Sequence, residues 1–310
     1  MSTLRDGESD GPLGGGGGAL GESDGPLGGS GGAALVRLAS RLVGRDLELV
    51  RPLPGGIHAT TLLVSDGARE LVVRRFPPGD GAVHHEVGVL DRLEPLGERV
   101  PRLVASSTEQ AMIVTTRVPG GAPAPHVPAG EIAAELARAL VAIHSLDGRG
   151  LREEPALPPR GDGPVSRAAR REWGGLELGD RVLTHYDYWR GNALWDGGVL
   201  TGVVDWSGAR SAPRGVDLAW CRLDLVLLGS IEAADYFLAE YERRSGRVIG
   251  DARAWDLQAA GQADSAVESW APGYAGIGRS DMTGPVLRER LDAWSALLLE
   301  PHGRATGSTG

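Results

Sequence analysis

Lysine is missing from this chain altogether, so all 32 of its basic side chains are arginine. Chemistry that ordinarily uses an ammonium must therefore use a guanidinium. The accompanying wealth of Ala, Gly and Arg fits a GC-rich coding bias. Cysteine occurs once, at Cys221, which excludes an internal disulfide and suits a reducing compartment. No run of 18 or more apolar residues occurs, and the acidic N-terminus has no apolar stretch of the signal-peptide kind. The expectation is a cytoplasmic protein with no membrane partner. A basic excess is lacking too: net charge is −9, which argues against a nucleic-acid partner. Oligomeric state leaves no trace in the composition.

What is present is enough for a sizeable core. The 310 residues are 41% hydrophobic, which suits one two-lobed unit or two small domains. Glycine is abundant and concentrated at the start, where GESDGPLGG occupies 7–15 and recurs at 21–29. Residues 1–32 cannot bury apolar surface and are expected to form a disordered tail. No GK[ST] follows the glycines, so they are not read as a phosphate loop.

From Leu49 to Val118 the pattern is that of strands. A strand, a glycine turn at Gly55-Gly56 and a returning strand at Thr61–Val64 come first. Ser65-Asp66-Gly67 signals a hairpin into ELVVRRF, in which alternation puts Val72 and Arg74 on one face. Val83, Val87, Leu90 and Leu93 carry helical spacing, ended by Pro95 and Gly97. PRLVASS and AMIVTTRV read as two further strands, giving a small antiparallel sheet with one inserted helix.

After Pro119-Gly120-Gly121 the pattern turns helical. Residues 131–146 align Ile132, Leu136, Leu140 and Ile143, and further helical text covers 216–228, 233–244, 251–270 and 285–300. The expected division is a tail at 1–32, a β-rich lobe at 33–118, a helical lobe at 119–302 and a flexible C-terminus at 303–310. Val118–Gly121 would be the hinge.

One stretch does not read as packing material: THYDYWRGNALWDGGVLTGVVDW, residues 184–206. It sets His185, Asp187 and Asn192 in a polar loop. Ala193–Trp195 and Leu200–Val204 then form a hairpin about Gly197-Gly198, which returns Asp205 beside the loop. Two carboxylates and an amide oxygen facing one space, with no thiol, suit Mg²⁺ held together with substrate phosphates.

At these residues the sequence resembles the aminoglycoside phosphotransferase and choline kinase family, across the whole of LTHYDYWRGNALWDGGVLTGVVDWSGA and in its lobe order. The resemblance implies an α+β, protein-kinase-like two-lobe fold and phosphotransfer from ATP (or GTP), with Mg²⁺, to a small-molecule hydroxyl. It implies that Asp187 is the catalytic base, that Asn192 and Asp205 hold the metal, and that His185 completes the catalytic group by bracing the loop. It further implies that Gly55 and Gly56 cover the nucleotide phosphates and that Arg74, paired with Glu86, contacts them. Thr115–Val118 would face the nucleotide, and Asp217 would buttress the loop. Arg74 stands where kinases carry lysine, Tyr186 where glycine is frequent, and Ser207 where an acidic residue often follows the metal aspartate. Two other readings stay open at this point: a kinase-like nucleotide binder without turnover, and a metal-dependent hydrolase built on His185 and Asp187.

Overall fold

A computed structural model describes residues 29–53, 59–79, 81–124, 126–153 and 155–300. Helix α1, Gly29–Val43, comes first, followed by strands β1, Glu48–Pro52, β2, Thr60–Ser65, and β3, Glu70–Arg75. Helix α2, Ala82–Leu93, precedes β4, Leu103–Ser107, and β5, Met112–Thr116. These five strands form one antiparallel sheet in the order β1-β2-β3-β5-β4. The β2–β3 turn is built by Asp66, whose Oδ1 accepts the N–H groups of Ala68 and Arg69, and by Gly67 at φ 84°.

Strand alternation divides this sheet between two cores. Leu62, Val64, Leu71, Val73, Met112 and Val114 project outward and pack under Leu35, Val36 and Ala39 of α1. Ile113 projects inward with Phe76 and Val83 into the main core. Arg74 and Thr115 are therefore directed toward the inner face. Helix α1 overturns the expected boundary of the tail: residues 29–32 are its first turn. The glycines there have poor helix propensity and obscured it, but burial of the later Leu35–Ala39 face holds the helix against the sheet.

Helix α3, Ala129–His144, buries Ile132, Leu136, Leu140 and Ile143. Helix α4, Pro164–Glu172, and strand β6, Arg181–Thr184, lead into the polar loop. The hairpin of β7, Ala193–Asp196, and β8, Val199–Val203, turns at Gly197 with φ 60°. Strand β9, Arg210–Pro213, pairs with β6. Then follow α5, Gly215–Leu227, α6, Ile231–Ser245, α7, Ala252–Ala263, α8, Ala271–Gly276, and α9, Gly284–Leu299. The expected single helix over 251–270 is broken after α7, and Val267–Trp270 is a separate 3₁₀ turn. Helix α5 is buried on every side, which explains its uninterrupted apolar text.

The segment joining the sheet to the helices is fastened to the hairpin. Gly121 and Trp195 exchange both backbone hydrogen bonds, at 3.0 and 2.8 Å. Thr201 Oγ1 donates to the Pro119 carbonyl at 2.7 Å. A Cβ on Gly202 would meet Val118 Cγ1 at 2.4 Å, so β8 lies hard against this segment.

Candidate active site

Helix α5 orders the polar loop through one stripe of side chains at helical spacing. Asp217, in its first turn, accepts the backbone N–H of His185 and of Tyr186, each at 2.7 Å. One turn later the Trp220 indole donates to Asp187 Oδ1 at 3.3 Å. A further turn on, Asp224 Oδ2 accepts the Arg190 N–H at 3.1 Å, and its Oδ1 accepts the Tyr274 hydroxyl at 3.0 Å. Residues 185–190 are thus read in order by 217, 220 and 224. Burial pushes the Asp224 carboxyl up to about 6 against the opposing pull of these donors.

Asp217 is held from behind. Arg214 donates to the Tyr241 hydroxyl at 2.5 Å, and that hydroxyl lies 2.8 Å from His144 Nδ1. His144 Nε2 lies 3.2 Å from Asp217 Oδ2. The hydroxyl accepts from Arg214 and donates to Nδ1, which leaves the proton on Nε2, facing the carboxylate. Burial lowers the His144 pKa and keeps the ring neutral.

His185 is completely buried, its Nε2 2.9 Å from the Val204 carbonyl and its Nδ1 without a partner among the described residues. Burial lowers its pKa as well. Its ring, 4.6 Å from that of Trp206, ties the loop to the end of β8. Tyr186 adopts φ 71°, the left-handed conformation that explains why glycine suits this position. The Arg210 guanidinium lies 3.7 Å above its ring, and the two Asp217 bonds fix the backbone.

Asp187 is half-buried. Its Oδ2 accepts from Asn192 Nδ2 at 3.0 Å, and the same nitrogen donates to its backbone carbonyl at 2.9 Å. Burial first, then the charge of Asp205, raise the Asp187 pKa well above the usual carboxylate range. Asp205 sits at φ 62°, directly after the hairpin, and accepts from Ser207 Oγ at 3.0 Å. Ser207, the departure from an acidic residue, thus steadies Asp205.

Across from it, Arg74 bonds Glu86 of α2 and places NH2 3.6 Å from Asp205 Oδ1. Glu86 is buried with Oε2 unpartnered, and burial raises its pKa against the pull of Arg74. Arg75 is exposed on the opposite strand face. Thr115 and Val118 are buried along the segment leading out of β5. Gly55 and Gly56 lie outside the described residues. Of the expected site residues, Asp187, Asn192, Asp205, Arg74 and Glu86 come together around one space.

That space suits a hard divalent cation. Asn192 Oδ1 carries no hydrogen bond among the described residues, while the side chain of Asp205 is 45% exposed. The Asp205 charge acts on both Glu86 and Asp187, and Arg74, bonded to Glu86 and 3.6 Å from Asp205, is the nearby counter-charge. No cluster of three or more His, Cys, Asp and Glu among the described residues could hold a metal alone. An oxygen-only, incomplete donor set is the kind that shares a cation with phosphate oxygens.

Sequence reasoning missed Trp220, His144, Tyr241 and Arg214. The spacing of Asp217, Trp220 and Asp224 was the available signal for the first. The others are joined only by the fold.

The profile of the phosphotransferase enzyme family matches residues 49–256. Among solved structures, a macrolide 2'-phosphotransferase from Brachybacterium faecium is 20% identical with a TM-score of 0.57, covering 88% of this chain and 99% of its own. A spectinomycin phosphotransferase, solved with ADP and spectinomycin, is 15% identical at TM-score 0.61, with 86% and 98% covered. The choline kinase of Streptococcus pneumoniae is 18% identical at TM-score 0.56, with 84% and 98% covered. At these identities the likeness is one of fold. No curated protein sequence matches the chain. The family match spans most of the chain, including both the Arg74–Glu86 pair and the loop that α5 reads, and the chain belongs to the phosphotransferase enzyme family, with a protein-kinase-like fold.

Proposed function

We propose that the protein moves the γ-phosphate of ATP (or GTP) to a hydroxyl of a small molecule, an aminoglycoside-, amino-alcohol- or sugar-like acceptor, in the cytoplasm. The observation that carries this reading is the meeting of Asp187, Asn192 and Asp205 in front of the Arg74–Glu86 pair. The ADP-bound spectinomycin phosphotransferase of the same fold supports a nucleotide as donor. In-line transfer needs positioning and charge neutralisation more than covalent chemistry, and the chain supplies both.

Asp187 would orient the acceptor hydroxyl and take its proton. Its raised pKa lies in the direction a base requires, and Trp220 and Asn192 fix both carboxylate oxygens. Arg74 would bind phosphate oxygens through its planar fork, held in place by Glu86. Thr115 and Val118 would border the nucleotide, and Gly55 and Gly56 would cover its phosphates. Asn192 Oδ1 and Asp205 would hold Mg²⁺, which when bound offsets the negative charge of the phosphate oxygens. His185 would keep the loop and the end of β8 in register. The functional division would fall at Val118, between nucleotide-facing sheet and acceptor-facing helices.

Nucleotide titration with and without Mg²⁺, beside a turnover screen against amino and sugar alcohols, tests the reading. Mg²⁺-dependent ATP or GTP binding with acceptor-dependent turnover is expected. Binding with no turnover against any acceptor would favour a kinase-like nucleotide binder. Absence of nucleotide binding would overturn the phosphotransfer reading itself.

A further inference from the structure

Arg190 is half-buried in the loop, three residues after Asp187, and its guanidinium makes no ion pair or hydrogen bond among the described residues. Its Nε is buried without a partner. A guanidinium partly removed from water and left unpaired is costly. The carboxylate nearest in charge, Asp224, makes no hydrogen bond to the guanidinium: Oδ2 accepts the Arg190 backbone N–H and Oδ1 accepts the Tyr274 hydroxyl.

The surroundings add positive charge. Arg279 acts on Arg190 as a like charge and is itself engaged by Asp281, through Nε at 2.8 Å and NH2 at 2.7 Å. Arg290 also lies within electrostatic reach of Asp281, while donating to the Leu227 carbonyl at 2.6 Å. Of Arg190, Arg279 and Arg290, only Arg190 has a guanidinium with no hydrogen bond or ion pair among the described residues, in a chain whose net charge is −9. The Tyr274 hydroxyl feels both Asp187 and Asp224, and the Arg190 charge acts on the same hydroxyl. Asp224 thus ties the Arg190 backbone and the Tyr274 hydroxyl to one carboxylate, with Asp187 three residues before Arg190 in the same loop. Trp189, the residue before Arg190, packs edge-on against that Tyr274 ring at 5.5 Å.

We infer that Arg190, backed by Arg279, forms a subsite for an anionic group, a carboxylate or a phosphate ester, carried by the acceptor whose hydroxyl is presented to Asp187. This rests on the phosphotransfer reading but changes its acceptor: a hydroxy acid or a phosphorylated sugar or alcohol takes the place of an aminoglycoside or amino alcohol. Arginine suits the task, because its fork meets either anion with two parallel hydrogen bonds.

Direct binding of matched probes tests the subsite apart from turnover. Glycerate, glycerol phosphate, glyceramide and choline are titrated by calorimetry into the full chain, its Arg190→Met variant and its Arg190→Lys variant. The expected result is that one or both anions bind, glyceramide and choline bind more weakly, and Arg190→Met weakens anion binding at least about tenfold. Arg190→Lys should recover part of that loss, since it restores charge without the fork. Which anion binds more tightly distinguishes carboxylate from phosphate. Anion binding that is absent, or that survives Arg190→Met unchanged, overturns the subsite, as does tighter binding of choline. Mg²⁺-nucleotide binding is measured on the same preparations. Its loss in the parent chain would point to failure of the phosphotransfer reading, whereas its persistence beside absent anion binding condemns the subsite alone.

Discussion

His144 of α3 and Asp217 of α5 meet at 3.2 Å inside the protein, and the same carboxylate holds the backbone of the polar loop. Asp217→Asn replaces an acceptor oxygen by a donor, so at least one of the three N–H groups now bonded loses its partner. The expected loss is about 1–3 kcal/mol of stability. Deuterium exchange at the His185 and Tyr186 amides should accelerate beyond what the global loss explains. His144→Leu should do the same more mildly, and His144→Gln should restore protection. Unchanged exchange in all three would show that the loop is held by other means.

Asp187→Asn and Asp205→Asn should fail differently. Asp187→Asn removes the group that acts on the acceptor, so turnover should fall by a factor on the order of 10² to 10⁴ with nucleotide affinity nearly kept. Asp205→Asn removes a charge facing the cation, and Mg²⁺-dependent nucleotide affinity should fall together with rate. Steady-state turnover beside nucleotide titration separates them. Full turnover in Asp187→Asn would remove this loop from the chemistry.

Arg74→Ala should abolish most nucleotide affinity, while Arg75→Ala, an exposed residue on the opposite strand face, should leave it intact. Arg74→Ala also strands buried Glu86, at a cost of about 3 kcal/mol. Arg74→Met combined with Glu86→Gln should recover stability without recovering affinity. Recovery of both would mean that the pair is structural only.

Asp224 makes stability depend on pH in an unusual direction. Its carboxyl is raised from 3.8 to about 6 in the folded chain. Below pH 3.8 both states hold the proton and there is no penalty. As pH rises toward 6 the unfolded chain ionises first, and above 6 the native state carries a constant penalty of about 3 kcal/mol. The stability of Asp224→Asn relative to the parent should therefore improve from pH 4 to pH 7. Urea midpoints at the two pH values check this, and a difference independent of pH would refute it.

Removing residues 1–43 should destabilise the protein by several kcal/mol, since Leu62, Leu71, Val73 and Met112 lose the cover of α1. Removing residues 1–28 alone keeps α1 whole and should shift the melting temperature little. Equal melting temperatures for both truncations would show that α1 contributes nothing.

Much of this was legible before any coordinates. Alternation in β3 put Val72 and Arg74 on one face, and the structure has Leu71 and Val73 on the other, under α1. The 184–206 hairpin was legible because Gly197-Gly198 separates two short apolar runs. Helix α1 was not, because its first turn is glycine and its apolar face depends on a sheet far along the chain. The chain from Arg214 through Tyr241 to His144 was invisible for a different reason. Its members are joined by hydrogen bonds between elements, and nothing in local pattern marks a polar side chain as inward-facing. Asp217, Trp220 and Asp224 stand between these cases, because their spacing was readable but their partners were not.

The lacing of Gly121 to Trp195, and of Thr201 to Pro119, bears on where the molecule can bend. With its amides tied to the hairpin, the crossing segment has no slack to act as a free swivel. Any opening would instead be a rocking of the sheet about this seam. Thr115 and Val118, close to the axis, would then hardly move, while the far strands β1 and β2 would travel furthest. The ring end of a bound nucleotide would rest against the still edge and its phosphates under the travelling one, so release would begin at the phosphates.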